Sequence, residues 1–272
     1  MVAPPTCAHA HDVDAPPCGG QELDLLRART LARGVNPLLY WSVRTLLQPV
    51  FLLYFRMTRI GRVHLPRRGP LILAANHRSF LDPFCIGMLV RRPVYFMAKR
   101  ELFEKRWQGW LLSRLGAFPV DRGAGDAAAM ETARAILQRG DCVVIFPEGT
   151  RVRPGPLGHA HRGVGRLTLE TGAAVAPVAV IGTEDVRRGW RIRPRKVRLR
   201  VGRPLRFPRP ESATPSLAAG VTERIWACVS LQWEWLGGEP AVRPQRAATT
   251  PASARRRRAV RSAAKREEAH AA

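Results

Sequence analysis

Two stretches decide the reading of this chain: Pro70–Asp82, PLILAANHRSFLD, and Cys142–Arg151, CVVIFPEGTR. Each opens on a short apolar run, Pro70–Ala75 and Cys142–Phe146, and then turns abruptly into polar and turn-forming residues. A continuous apolar run of that length is the pattern of a buried strand. Sites in α/β sheets gather where such strands end and loops begin. Further out, Val94–Ala98 and Val175–Ile181 read as strands, and Lys196–Val201 (KVRLRV) alternates as a half-exposed one. Helical spacing falls between them. It covers Pro83–Val90, the series Phe103, Trp107, Trp110, Leu111 and Leu115, and a helix capped by Asp126 that runs to Gln138 and closes at Gly140. It returns at Gly163–Thr171, which ends at Gly172, and at Ser216–Trp235. Alternating strands and helices predict an α/β fold, a layered domain whose central mixed sheet is flanked by helices.

The segment ahead of this domain is different. Gln21–Arg33 predicts a short helix closed by Gly34. Leu38–Phe55 (LLYWSVRTLLQPVFLLYF) is strongly apolar, with a narrow polar stripe of Arg44, Thr45 and Gln48 at helical spacing. Pro49 is expected to kink or break that helix just before it. A central charge and a kink disfavour a simple spanning helix. Arg56, Arg59 and Arg62 follow beside Tyr54 and Phe55, which suits an element lying in the headgroup region of an anionic leaflet.

The 272 residues carry 45 Lys+Arg against 21 Asp+Glu, a net charge of +24 that attracts polyanions and anionic lipid. Arg187–Arg209 contains eleven basic residues, no acid, and Trp190, a candidate membrane-facing platform. Nucleic-acid binding fits the charge alone, since there is no recognition motif, stacking-aromatic signature or zinc module. The five cysteines have no paired spacing, which speaks against a disulfide scaffold or structural zinc. His159 and His161 lack a neighbouring carboxylate or thiolate, so no metal is expected. The first twenty residues have no secretory apolar run, and no segment reaches ~20 uninterrupted apolar residues.

His77 and Asp82 are candidates for a base and its orienting partner; on their spacing alone, a buried histidine hydrogen-bonded for structure, with Asp82 as a helix cap, is the simpler reading. A histidine is an available general base near neutral pH. Five residues on a regular helix turn through about 140°, so the two side chains meet only if His77 sits in the loop entering the helix. Asp82 would then hold one ring nitrogen and leave the other free. After the second strand, Arg151 offers a bidentate grip on phosphate and Gly149 a close backbone approach to an anion. Ser79 and Cys85 read as packing residues rather than nucleophiles.

NHRSFLD followed by FPEGTR resembles the glycerolipid acyltransferase family, in particular its 1-acylglycerol-3-phosphate acyltransferase group with HxxxxD and FPEGTR motifs. Ala98–Leu102 (AKREL), Gly116–Arg122 (GAFPVDR) and Val175–Ala179 (VAPVA) are similar to its intermediate and final blocks, so the likeness covers roughly Gly61 to Leu205. One departure is Ala160-His161-Arg162-Gly163, where the family carries an aromatic-Lys-x-Gly pattern. The resemblance implies transfer of a fatty acyl group from acyl-CoA or acyl carrier protein to a free hydroxyl of a lysophospholipid. The default acceptor is 1-acylglycerol 3-phosphate, giving phosphatidic acid. Another glycerophosphate or polar lipid acceptor, or a non-catalytic polyanion- or membrane-binding protein on this fold, are the alternatives. His77 would be the base and Asp82 its orienting partner, with oxyanion donors expected among backbone N–H groups near the His77 turn. Lys99, Arg122, Glu148, Gly149, Thr150 and Arg151 would hold the acceptor. No cofactor is implied beyond the acyl donor. The expected partners are donor, acceptor and an anionic membrane surface, at the cytoplasmic face. The organisation implied is a disordered segment 1–20, a helical membrane-anchoring element 21–60, an acyltransferase domain 61–236 and a basic disordered tail 237–272.

Overall fold

The computed structural model describes residues 19–121, 127–152, 155–188 and 190–240. The expectations for residues 1–18, for the Asp126 cap, for Arg122 and for the tail beyond residue 240 lie outside the described residues.

Two helices lead, α1 (Gly19–Arg33) and α2 (Pro37–Pro49), followed by a π-helical turn over Val50–Tyr54. Strands β1 (Thr58–Ile60) and β2 (Leu71–Ala75), helix α3 (Asp82–Gly87), strand β3 (Tyr95–Lys99) and helix α4 (Arg106–Arg114) come next. Strand β4 (Ala117–Val120), helix α5 (Ala127–Gln138), strand β5 (Cys142–Ile145), helix α6 (Gly163–Thr171) and strand β6 (Ala174–Ile181) continue the alternation. A short hairpin, β7 (Arg187–Arg188) and β8 (Arg191–Ile192), precedes β9 (Arg198–Val201) and α7 (Pro215–Trp235).

Seven strands form one mixed sheet in the order β1-β9-β6-β2-β5-β3-β4. The run β6-β2-β5-β3-β4 is parallel, with Leu71 opposite both Ala174 and Cys142. β9 is antiparallel to β6, and β1 is parallel to β9. β2 is buried on both faces because it divides the domain. Leu71, Leu73 and Ala75 pack against Cys85 and Ile86 of α3 and against Phe51 and Phe55. Ile72 and Ala74 face Ala133 and Ile136 of α5, Leu167 of α6 and Ile225 of α7. α6 and α7 approach so closely at Gly165 that a Cβ there would lie 2.1 Å from the Ala218 carbonyl oxygen.

The leading helices depart from the sequence reading in three ways. α1 packs on β4, α4 and α5, and its Arg27 Nε donates to the Pro119 carbonyl, so it belongs to the domain. The helix does not break before Pro49. It runs through it and widens directly afterwards into the π-turn, in which Phe55 N–H reaches back to the Val50 carbonyl. The narrow polar stripe of Arg44, Thr45 and Gln48 is divided, with Thr45 exposed and Arg44 turned inward. Arg44 is buried, and its guanidinium donates to the Gly87 and Met88 carbonyls at the C-terminal end of α3, where the helix end favours a cation. The outward face of α2 and its π-turn is therefore more apolar than expected: Leu38, Leu46 and Leu53 are 80%, 74% and 77% exposed, beside Trp41, Val50 and Tyr54. Among the described residues, no helix is long and apolar enough to cross a membrane. At the other end, Gly238 N–H bonds back to the Trp233 carbonyl and Trp233 Nε1–H to the Glu239 carbonyl, so ordered packing continues past residue 237.

Candidate active site

β2, β5, β3 and β4 are parallel neighbours, so their C-terminal ends share one edge of the sheet. His77 follows β2, the FPEGTR turn follows β5, and Lys99 ends β3. The chain leaves β2 through Asn76. Its side chain donates to the Val180 carbonyl at 2.9 Å and accepts from the Val180 N–H at 2.8 Å, extending the β2–β6 ladder by one rung. His77 then sits in the loop before α3, as the five-residue spacing to Asp82 requires, and the two meet with Nδ1 2.9 Å from Asp82 Oδ2.

Asp82 is fully buried and densely bonded. Oδ2 also accepts the N–H groups of Arg78 (2.6 Å) and Ser79 (2.7 Å), and Oδ1 accepts the hydroxyl of Thr183 at 2.6 Å. With the Nδ1 proton given to Asp82, the lone pair of His77 lies on Nε2. Nε2 has no protein partner among the described residues. The ring stacks on Phe146, centroids 4.1 Å apart at 21°, which fixes its plane.

The two motif segments are tied through the backbone of His77. Its N–H donates to Glu148 Oε2 at 2.6 Å, and its carbonyl accepts the Val152 N–H at 2.9 Å. The other Glu148 oxygen accepts the Gly158 N–H at 2.8 Å. Burial pushes the Glu148 carboxyl above the usual range, and these N–H donors, then the charges of Arg78 and His77, pull it part of the way back. Glu148, expected to hold the acceptor, is thus a buried strut whose two oxygens are both engaged by backbone. Of the backbone N–H groups near the His77 turn, those of residues 77–79 are taken by carboxylates and so are not free as oxyanion donors.

Gly149 adopts φ +69° in the turn, and a Cβ there would come within 3.2 Å of the His161 ring. His161 therefore stands over the turn despite the altered aromatic-Lys-x-Gly pattern. Thr150 and Arg151 are exposed beside it. Lys99 is on the same edge, at the end of the neighbouring strand β3, and pairs with Glu101 at 2.5 Å. Ser79 and Cys85 are buried, and burial first, then the Asp82 charge, lifts the Cys85 thiol well above its ordinary range, which leaves no reactive thiolate. No His/Cys/Asp/Glu group suited to a metal occurs among the described residues. The sequence reading did not single out Asn76, Phe146 or Thr183 as parts of the site. The one signal for Thr183 was its place just past a buried strand ending on this edge.

Fold and site together define an α/β protein with a histidine–aspartate dyad at the carboxyl edge of a parallel sheet. The family model described as Acyltransferase matches residues 56–181. The chain is 31% identical over 147 residues to the 1-acyl-sn-glycerol-3-phosphate acyltransferase of Bacillus subtilis, covering 53% of this chain and 71% of that protein. It is 36% identical over 119 residues to the lyso-ornithine lipid O-acyltransferase of Pseudomonas aeruginosa, 43% of this chain and 45% of that one. It is 29% identical over 136 residues to the chloroplastic 1-acyl-sn-glycerol-3-phosphate acyltransferase LPAT1 of Arabidopsis thaliana, where it spans only 38% of the relative. The crystal structure of the 1-acyl-sn-glycerophosphate (LPA) acyltransferase PlsC of Thermotoga maritima shares the fold: TM-score 0.54 and 21% identity, over 81% of this chain and 98% of that one. The chain belongs to this acyltransferase family.

Proposed function

We propose that the protein is a membrane-associated O-acyltransferase of phospholipid synthesis. It would move a fatty acyl group from acyl-CoA or acyl carrier protein to the free hydroxyl of a lysophospholipid, with 1-acylglycerol 3-phosphate as first acceptor and phosphatidic acid as product. The observation that carries the reading is the dyad, with Nδ1 of His77 held by Asp82 and Nε2 without a partner among the described residues. The names of the Bacillus and Pseudomonas relatives support the reaction class.

In this reading Nε2 takes the proton of the acceptor hydroxyl as its oxygen attacks the thioester carbonyl. A C–O bond forms, the tetrahedral intermediate collapses with loss of the C–S bond, and the imidazolium returns its proton to the departing thiolate. A thioester is already activated, so neither a side-chain nucleophile nor an acyl-enzyme is needed. Asp82 orients the ring and stabilises the imidazolium. A positioned base of this kind contributes about 10²–10⁴ in rate. Arg151, Thr150 and Gly149, with Lys99 and Arg122, hold the acceptor's phosphate.

An apolar groove of about 530 Å³ is lined by Phe51, Tyr54 and Phe55 of the leading segment and by Phe80, Leu81 and Phe84, of which Phe80 and Leu81 belong to the loop between His77 and Asp82. Its lining suits an acyl chain. The exposed apolar face of α2 and its π-turn, bordered by Arg56, supports membrane contact, to which each basic side chain near an anionic leaflet adds about 1 kcal/mol. With acyl-CoA or acyl carrier protein as donor, the reaction would belong to the cytoplasmic face.

The test is release of free thiol from palmitoyl-CoA, or from palmitoyl-acyl carrier protein, by the full chain reconstituted in anionic vesicles. Release that requires 1-acylglycerol 3-phosphate is the expected result. Release only with lyso-ornithine lipid keeps the mechanism and changes the acceptor. No release from either donor with any acceptor refutes the proposal in favour of a non-catalytic membrane-binding protein.

A further inference from the structure

Asp82 receives four hydrogen bonds, and three of them come from its own loop: His77 Nδ1–H and the N–H groups of Arg78 and Ser79, all on Oδ2. The fourth comes from outside it. Thr183 lies 101 residues away, just past β6, and its hydroxyl donates to Oδ1 at 2.6 Å. Both residues are fully buried, so water does not compete for the bond. A carboxylate held only on one oxygen can pivot about its Cβ–Cγ bond. Anchoring the second oxygen removes that freedom and fixes the direction in which Oδ2 meets the imidazole.

The anchor itself is rigid. Gly182 closely faces the Lys196 carbonyl, where a Cβ would lie only 2.2 Å away, and Gly182 N–H is bonded to Glu184 Oε2 at 2.9 Å. Asn76 stitches the strand just before it to the loop that carries His77. Thr183 therefore presents its hydroxyl from a strand end that is already registered to the dyad's loop.

We infer that Thr183 is a positioning residue for the dyad: its hydroxyl sets the orientation of Asp82 and, through it, the aim of His77 Nε2. The inference rests on the acyltransferase reading for its kinetic test. It has a second, non-kinetic readout that does not depend on that reading. The Thr183 hydroxyl is spent on Asp82 and acts on the base only through it, so the effect belongs to turnover rather than to substrate affinity.

The experiment compares Thr183→Val, which keeps the shape and removes the donor, with Thr183→Ser, which keeps the donor. Thr183→Ala serves as a smaller substitute should the valine variant melt well below the wild type. Thiol release from palmitoyl-CoA with 1-oleoylglycerol 3-phosphate is followed beside the wild type and His77→Ala. Thr183→Val is expected to lower kcat about tenfold to a hundredfold, the span of one charge-assisted hydrogen bond, with both KM values within about twofold. Thr183→Ser should return kcat to within about threefold of wild type. In parallel, proton NMR of the ¹⁵N-histidine-labelled chain should show a downfield His77 Nδ1–H signal, assigned by its loss in His77→Gln. That signal should persist in Thr183→Ser and broaden or vanish in Thr183→Val. Wild-type turnover together with an unchanged signal in Thr183→Val overturns the inference. So does a loss of kcat, affinity and melting temperature in concert that serine does not rescue. If the wild type releases no thiol, the acyltransferase reading fails by itself, and the NMR comparison still decides whether Thr183 orders the dyad.

Discussion

Replacing Glu148 with glutamine separates a substrate contact from a strut. Both carboxylate oxygens accept backbone N–H groups, His77 at 2.6 Å and Gly158 at 2.8 Å. A glutamine has one acceptor oxygen, so in either orientation one of those N–H groups faces an amino donor. Losing a hydrogen bond to a charged group and leaving a buried donor unsatisfied costs about 2–3 kcal/mol. In a domain of this size that lowers the melting temperature by roughly 4–12 °C. If the His77 side is released, the loop carrying the base loses one of its two backbone ties, and a shift of about 1 Å is worth about 10²-fold in rate. The expected result for Glu148→Gln is therefore a kcat reduced about 10–10²-fold, a lower melting temperature and an acceptor KM within about twofold. The pH dependence has a definite sign. Burial raises the Glu148 carboxyl in the folded state, so its stabilising contribution is fully present below the unfolded carboxylate range and is lost as pH rises through the folded value. The gap in stability between wild type and Glu148→Gln should accordingly be wider near pH 4 than near pH 7. Thiol release and thermal melts at both pH values supply the data. An unchanged kcat with an acceptor KM raised tenfold would refute the strut and restore Glu148 as an acceptor ligand.

Three further outcomes follow from the same geometry. Arg151→Ala should raise KM for 1-acylglycerol 3-phosphate about tenfold with little change in melting temperature, and an unchanged KM would move phosphate binding to other residues of the sheet edge. Leu46→Asp combined with Leu53→Asp places two charges on the exposed face of α2 and its π-turn and should shift the protein from vesicle pellet to supernatant in sedimentation; continued pelleting would assign the attachment to the basic surfaces. Gly165→Ala should destabilise by several kcal/mol, about 3 or more, because its methyl would fall 2.1 Å from the Ala218 carbonyl oxygen and force α6 from α7; an unchanged denaturant midpoint would contradict that packing.

Much of the parallel core was legible because its strands are continuous apolar runs. Cys142–Ile145 and the helix Gly163–Thr171 with its Gly172 terminus lie where local pattern alone puts them. β1 and β4 were not read as strands. β1 is three residues long at a sheet edge, and β4 carries Pro119 within a block that first reads as a motif. Trp107 and Trp110 have helical spacing, yet both are exposed on α4, since periodicity does not say which face meets the core. Arg44 shows the opposite case: in sequence it is one member of a narrow polar stripe, while the carbonyls at the end of α3, more than forty residues away, draw it inward. At the site, spacing alone left His77 and Asp82 open between a buried structural pair and a dyad; the ordered motifs and the family resemblance are what pointed to the contact. The bonds that hold it, from Glu148 and Thr183, span 71 and 101 residues and exist only once the sheet has assembled.

The central claim is that His77 Nε2 removes the proton of the acceptor hydroxyl, and it is tested most directly by the turnover of His77→Gln in anionic vesicles. Phosphatidic acid formed from palmitoyl-CoA and 1-oleoylglycerol 3-phosphate would be counted by mass spectrometry, with thermal melts confirming the fold. The expected rate is lower by about 10²–10⁴-fold at an essentially unchanged melting temperature. A folded variant that keeps more than about a tenth of wild-type turnover would contradict it, because a rate that survives loss of the base was never limited by it.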